Sequence, residues 1–429
     1  MLTKVAEQKP WMNRRQFLLA AGATGCVFAP PYERAAAAAR KKIKITDVKC
    51  VVVRGTWDWN LIKVETDSGL YGLGEASFGA GVKSTILNQM KPVLMGEDPL
   101  NVDKLYTKML VHGAGTGGDI AGATATAASG IEIALWDLCG RVLDTPVCNL
   151  LGGRFRDRIR FYRTTPYAPN VEDMGSWREL VAKHRSDKRG WTAFKFQCDW
   201  IPLRADPEDK EPGHEVYARN LTNKDYDRIV RAMQTVREEL GPLADMACEC
   251  HWRFDVSDAI RLGRELESVK PMWLEDPVPP ENPEAMQRVS RAINIPICTG
   301  ENLYGRQGFR ELIVRQACSG VHIDVPKSGG LLESKKISDF AEMYDIWTAF
   351  HNLSGPVATA ASCHAAAAMR NFRVHEFCER VDWWEDVVVR DTPYFKNGYF
   401  TIEDKPGYGI ELNPDVVKAH LALGETWWG

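Results

Sequence analysis

Between Ala247 and Phe377 the chain uses one pattern six times. A short apolar run ends in a carboxylate or imidazole, and a helical pattern leads to the next run. The runs are MACECHW, PMWLED, IPICTGE, GVHIDV, IWTAFH and FRVHEF. They place Glu249, Glu275, Glu301, Asp324, His351 and Glu376 at successive intervals of 26, 26, 23, 27 and 25 residues. A strand plus its return helix in a parallel barrel takes about 30 residues, so each interval fits one barrel unit. Helical patterns such as SDAIRLGRELESV and LLESKKISDFAEMYD fill the intervals, as βα repeats require. Taken singly, each acid reads equally well as a cap on the helix that follows. Taken together, the six groups lie at the C-terminal ends of barrel strands, the face on which such barrels build active sites.

The expected fold class is therefore α/β, a barrel of the (β/α)7β type preceded by an α+β capping domain. From Ile43 to Ala76 three β-like runs follow one another, and helical patterns follow over Val82–Leu94, Val102–Leu110 and Ala121–Leu143, the last small on one side. We expect a capping domain over 41–157, the barrel over 158–385 and a C-terminal segment, 386–429, returning to the cap. Two loops are placed to reach over the barrel mouth: Arg54 to Asn60, carrying Trp57 and Trp59, and the glycine-rich stretch His112 to Asp119. In the strand GWTAFKFQ, Lys195 and Gln197 share one face. A long polar segment, Asp199 to Asn220, follows it and carries Tyr217 and Arg219.

Residues 1–40 read as a targeting segment. Asn13-Arg14-Arg15-Gln16-Phe17-Leu18-Leu19 leads into an apolar, Ala/Gly-rich run and then five alanines, Ala35 to Ala39. This resembles a bacterial twin-arginine signal, which implies export of an already folded protein to the periplasm. Cys26 lacks the residue pattern of a lipoprotein acceptor. The formal net charge of −3 becomes −7 once the six basic and two acidic groups of residues 1–40 are set aside. Nothing in that balance suggests a nucleic-acid footprint, which needs clustered positive charge, and no later apolar run is long enough to span a bilayer. The eleven cysteines are scattered mostly within apolar runs, as packing residues are. Within Cys248-Glu249-Cys250-His251, strand alternation sends Glu249 and His251 inward and both cysteines towards the helices.

Against this background IALWDLCGRVLDTPVCNLLGG, FKFQ, ECHWRFD, WLEDPV, TGENLYGR, HIDVPKSGGLLE, FHNLSGPV and PGYGIELN resemble the mandelate racemase branch of the enolase superfamily. The likeness runs from about Ile43 to Leu423 and is nearest to the sugar-acid dehydratases that act on galactonate and mannonate. It implies that Glu249, Glu275 and Glu301 bind Mg²⁺, and that the protein is a homo-oligomer acting on a small-molecule sugar acid. Two positions depart from the family pattern. Glu249 stands where many relatives carry Asp, one methylene shorter. Gln197 stands where the racemases carry a base-acting Lys, and an amide cannot take up a proton near neutral pH.

On this reading the chain is a hydro-lyase. Mg²⁺ and Lys195 stabilise the enediolate formed when a proton leaves the carbon next to a carboxylate. His351 is the base, oriented by Asp324. His251, across the mouth, protonates the departing β-hydroxyl, and Glu376 hydrogen-bonds the substrate carboxylate. Gln197, Trp57, Trp59, Tyr217 and Arg219 are the candidate substrate contacts, while Tyr304 and Arg306 read as the start of the next helix. The product is a 2-keto-3-deoxy acid. Epimerisation or cycloisomerisation through the same enediolate remains open, as does an exported sugar-acid binding protein without turnover. A poised base argues against the last, since binding alone has no use for one.

Overall fold

A computed structural model describes residues 43–113, 120–202 and 219–428. The expectations for the leader with Cys26, for most of the glycine-rich stretch and for Tyr217 fall outside the described residues.

Three antiparallel strands open the chain: β1 (Ile45–Arg54), β2 (Asp58–Thr66) and β3 (Tyr71–Ala76). β3 reads YGLGEA because a helix lies directly on it. A Cβ on Gly72 would sit 2.0 Å from Ala134 O, and one on Gly74 would sit 2.3 Å from Gly130 O. The small face of the helix Gly122–Val142 is the matching surface. Glycine on one side and Ala/Gly on the other let the two backbones touch.

Eight parallel strands then close into a barrel: β4 (Arg158–Thr164), β5 (Ala193–Gln197), β6 (Asp245–Glu249), β7 (Leu274–Glu275), β8 (Ile297–Thr299), β9 (Gly320–Asp324), β10 (Trp347–His351) and β11 (Phe372–Phe377). Each pairs with the next, and β11 pairs back with β4. Among the described residues, seven helices of ten residues or more connect them, from Met174–Arg185 to Pro356–Ala367, which is the expected (β/α)7β architecture. Strand alternation divides the packing. Ala193, Ala247, Cys298, Ala349 and Val374 fill the barrel interior with Tyr162 and Trp273, while Phe194, Phe196, Cys248, Cys250 and Ile323 join the layer under the helices. The ten described cysteines are all buried and unbridged.

Cap and barrel form one unit, 43–429, and two buried glutamates join them. Glu75 of β3 accepts hydrogen bonds from Gly355 N and Ala358 N at the start of the helix Pro356–Ala367. Glu132 accepts from Leu331 N and Leu332 N at the start of Gly330–Glu342, 2.8 and 3.0 Å away. Each meets the unpaired donors and positive dipole end of a barrel helix. The C-terminal stretch divides. β12 (Val388–Val389) follows the barrel, β13 (Tyr399–Thr401) pairs antiparallel with the N-terminal residues of β4, Arg158 to Arg160, and the tail beyond it bonds to β1 through Arg54 N to His420 O and Ala422 N to Val52 O.

Burial pushes the carboxyls of both Glu75 and Glu132 up to about 7, against the pull of their backbone donors. Between the ordinary value of 4.5 and about 7 the folded protein holds protons that the unfolded chain releases, so stability falls as pH rises through that window. The melting temperature of Glu75→Gln or Glu132→Gln, followed by calorimetry from pH 5 to 7.5, is expected to fall less steeply than the parent's. Parallel slopes would rule these groups out as the source.

Candidate active site

Strand register brings the polar groups to one level. Gln197 pairs with Glu249, Glu249 with Glu275, and Asp324 with His351 as Cα neighbours on adjacent strands. Glu301 lies two residues beyond β8, and Glu376 lies near the end of β11.

Lys195 is the hub. Its Nζ lies 3.1 Å from Glu249 Oε2, 2.6 Å from Glu275 Oε1 and 3.0 Å from Glu376 Oε1, and its side chain is 1% exposed. Burial alone would favour the neutral amine, but the carboxylates of Glu249, Glu275 and Glu376 outweigh it and hold the ammonium well above the ordinary lysine range. Trp273 Nε1 donates to the other oxygen of Glu275 at 2.7 Å. Glu376 is held by Thr164 Oγ1 on one oxygen and by Asn352 N, at 3.1 Å, on the other.

His351 Nδ1 lies 2.8 Å from Asp324 Oδ2, which leaves Nε2 turned to the cavity, 3.5 Å from Glu301 Oε2 and 3.8 Å from Glu376 Oε2. Burial depresses the imidazole's proton affinity, yet Glu301, Glu376 and Asp324 together push it up to about 10. His251 stands four strands away in an eight-strand ring, hence across the mouth. Its Nε2 lies 3.2 Å from Glu249 Oε1 and its Nδ1 3.2 Å from Asp199 Oδ2. Against burial, Glu249 and Asp199 raise it to about 10 as well. His251 is not itself on a strand. β6 ends at Glu249, and His251 and Trp252 take left-handed φ values of 42° and 48°, a turn that swings the imidazole back over Glu249.

All of these charged groups except Glu275 and Asp199 line a cavity of about 450 Å³ with Gln197, Trp57, Phe78, Tyr304, Lys327 and Arg380. That is room for a small sugar acid.

Three expectations are corrected. Trp59 does not reach the cavity. The expected loop shrinks to 55–57 because β2 begins at Asp58, so Trp59 pairs with Val53 and turns into the core, 1% exposed, against Trp383. Arg219 is spent on structure, with Nη2 donating to Phe254 O at 3.0 Å. Tyr304 precedes the helix Gly305–Val314, as expected, but also lines the cavity, whereas Arg306 pairs with Glu333.

The carboxylates also group differently from the expected trio. Among the described residues, the set whose ligand atoms all lie within 4.8 Å of one another is Glu275, Glu301 and His322. Glu249, one methylene longer than aspartate, follows the Lys195 ammonium and His251. His322 was overlooked in the sequence, although it lies two residues before Asp324 and so on the same strand face. Its Nδ1 is 3.4 Å from Glu275 Oε1, and its Nε2 is 3.1 Å from the Tyr162 hydroxyl. Asp199 and Thr164 were likewise missed. Thr164 ends β4, where the strand-end rule that found the other groups also points.

Comparison with known proteins agrees with this architecture. Residues 42–152 match the N-terminal domain model of the mandelate racemase / muconate lactonizing enzyme family, and residues 178–416 match the enolase C-terminal domain-like model. A D-xylonate dehydratase of Haloferax volcanii is 40% identical over 386 residues, spanning 89% of this chain and 90% of the relative. A D-gluconate/D-galactonate dehydratase of Picrophilus torridus is 30% identical over 83% of this chain and 87% of its own. The crystal structure of a mandelate racemase/muconate lactonizing enzyme-like protein from Rubrobacter xylanophilus superposes with a TM-score of 0.82 at 36% identity, covering 90% of this chain and 99% of that one. With both domain models matched, a shared barrel and relatives spanning most of its length, this chain belongs to the mandelate racemase/muconate lactonizing enzyme branch of the enolase superfamily.

Proposed function

We propose that this protein removes water from a five- or six-carbon aldonic acid, giving a 2-keto-3-deoxy acid. The observation that carries the reading is the pair of imidazoles across one cavity: His351, braced by Asp324 on one ring nitrogen and open on the other, and His251, between Glu249 and Asp199. The relatives named as D-xylonate and D-gluconate/D-galactonate dehydratases support the substrate class.

In its unprotonated form His351 Nε2 takes the proton from C2, and the electron pair of that C–H bond moves into the carboxylate as an enediolate; the pair then returns to form the C2–C3 double bond as the C3–O bond breaks. His251 gives its proton to the departing hydroxyl, which leaves as water. The resulting enol gives up its C2 hydroxyl proton to solvent, takes a proton at C3 and becomes the ketone. Lys195 keeps its proton throughout and offsets negative charge on the substrate carboxylate, while Glu376, which despite burial Lys195 holds ionised, can only accept and does so from a substrate hydroxyl beside it. Gln197, with no base to offer, positions substrate hydroxyls.

The residues fit a divalent ion. Glu301 Oε2 and His322 Nδ1 are buried side-chain atoms without a hydrogen-bond partner, and the carboxylates supply the hard oxygen donors that suit Mg²⁺. Glu275 and Glu301, with Glu249 on the neighbouring strand, would hold it. Bound there, Mg²⁺ supplies Lewis-acid stabilisation of the charge that builds on the substrate carboxylate. The Arg14-Arg15 leader supports an exported site of action, and no helix among the described residues is long and apolar enough to cross a membrane.

The test is a panel of aldonates and aldarates incubated with the purified protein and Mg²⁺, with α-keto products trapped as hydrazones. Turnover of a five- or six-carbon aldonate is expected. A panel without any keto product would overturn the reading.

A further inference from the structure

The exit of β11 runs Phe377-Cys378-Glu379-Arg380. Cys378 and Arg380 line the cavity, while the side chain of Glu379 between them reaches for the cap. Its buried carboxylate, in a residue 4% exposed, accepts from Thr56 N and Thr56 Oγ1 in the cap loop, and from Arg380 N and Val381 N in its own turn. From the other side, Arg163 Nη1 donates to Glu379 O at 2.6 Å. One side chain thus fastens two segments some 320 residues apart.

Each fastened segment delivers a group to the cavity wall. The loop 55–57 carries Trp57, whose ring stacks on Phe78 with centroids 6.3 Å apart and planes 23° apart. It runs so close to Trp59 that a Cβ on Gly55 would meet that ring at 2.2 Å. The barrel turn carries Arg380, whose exposed guanidinium has no ion pair or hydrogen bond among the described residues. The reacting groups are secured elsewhere, by Asp324 for His351, by the carboxylates for Lys195, and by Thr164 and Asn352 for Glu376.

We propose that Glu379 is a positioning residue that sets Trp57 against Arg380 as the wall facing the far end of the substrate, and thereby the length of sugar acid the cavity prefers. The inference rests on the proposed dehydratase reading. An apolar ring and a free guanidinium lining one cavity suit a polyhydroxylated chain, whose C–H faces meet the ring and whose hydroxyls meet the cation. Because the wall contacts substrate equally in ground and transition states, displacing it changes affinity and selectivity while the chemical step is untouched.

The experiment compares Glu379→Ala, Glu379→Gln and Thr56→Val with the parent on four-, five- and six-carbon aldonates. It measures kcat and KM by product trapping, affinity by calorimetry and folding by thermal melts. Glu379→Ala is expected to raise KM and Kd by about tenfold or more, as a displaced binding group does. It should flatten the kcat/KM ratio between five- and six-carbon acids and keep kcat on the best acid within about twofold. Glu379→Gln, which retains an acceptor oxygen, is expected to recover most of the loss. Should Glu379→Ala not fold, Thr56→Val carries the test, with a smaller shift in the same direction. Unchanged affinities and ratios, or a fall in kcat at constant KM, would overturn the proposal. A parent that binds aldonates without turning them over would defeat the dehydratase reading, while the calorimetric ratios would still decide the role of Glu379.

Discussion

Replacing His351 with asparagine is expected to lower dehydration by about 10³-fold or more, with substrate affinity nearly unchanged. The His351 imidazole has one ring nitrogen braced, with Asp324 Oδ2 2.8 Å from Nδ1, and turns the other, Nε2, to the cavity beside Glu301 and Glu376. General-base catalysis alone is worth about 10²–10⁴-fold, and asparagine has no basic atom to replace it. Exchange of the substrate α-proton with deuterated water should vanish in parallel, because that exchange reads the same proton transfer. Asp324→Asn is expected to act less directly, by about 10²-fold or more, through loss of the tautomer and orientation that the carboxylate imposes. Persistent exchange in His351→Asn would show that another group is the base.

Lys195→Met carries the second large effect, on stability as well as rate. The ammonium is the shared counter-charge for Glu249, Glu275 and Glu376, each within 3.1 Å of Nζ and each no more than 2% exposed. Removing one partner from a buried ionic cluster costs about 3–5 kcal/mol, because the remaining charges stay buried and unmatched. In chelator-treated protein, denaturant unfolding is expected to show a loss of that order. Added Mg²⁺ should recover more stability in the variant than in the parent, since a divalent cation offers the same carboxylates another counter-charge. Activity should fall by about 10²–10³-fold even at saturating Mg²⁺, the typical effect of losing one preorganised electrostatic group. Equal stability of parent and variant without metal would mean that the carboxylates share their protons instead.

The barrel was legible because its intervals are set by geometry. Even β7, two residues long, could be located from the 26-residue steps on either side of Glu275. The same phasing pointed to Asp324 and His351, whose pairing follows from register on adjacent strands. What the sequence hid depends on contacts between distant segments. Trp59 reads as a loop residue until β2 is seen to begin one position earlier. Arg219 looks available until Phe254 O is found beside it. The turn of Glu249 towards Lys195 and His251 is an electrostatic outcome of three carboxylates meeting one ammonium, and no interval encodes it. His322 was within reach, since its separation of two from Asp324 places both on the inner face. An imidazole inside an apolar run carries no local mark that separates a ligand from a packing residue.

The central claim is that a proton leaves C2 as a hydroxyl leaves C3 in one cavity. Proton NMR of the preferred aldonate turning over in deuterated water tests it most directly. The account predicts a 2-keto acid with a new C3 methylene carrying one deuterium, formed as the enol takes a solvent deuteron. Deuterium at C2 of an otherwise intact or epimerised acid, with no methylene signal, would contradict it.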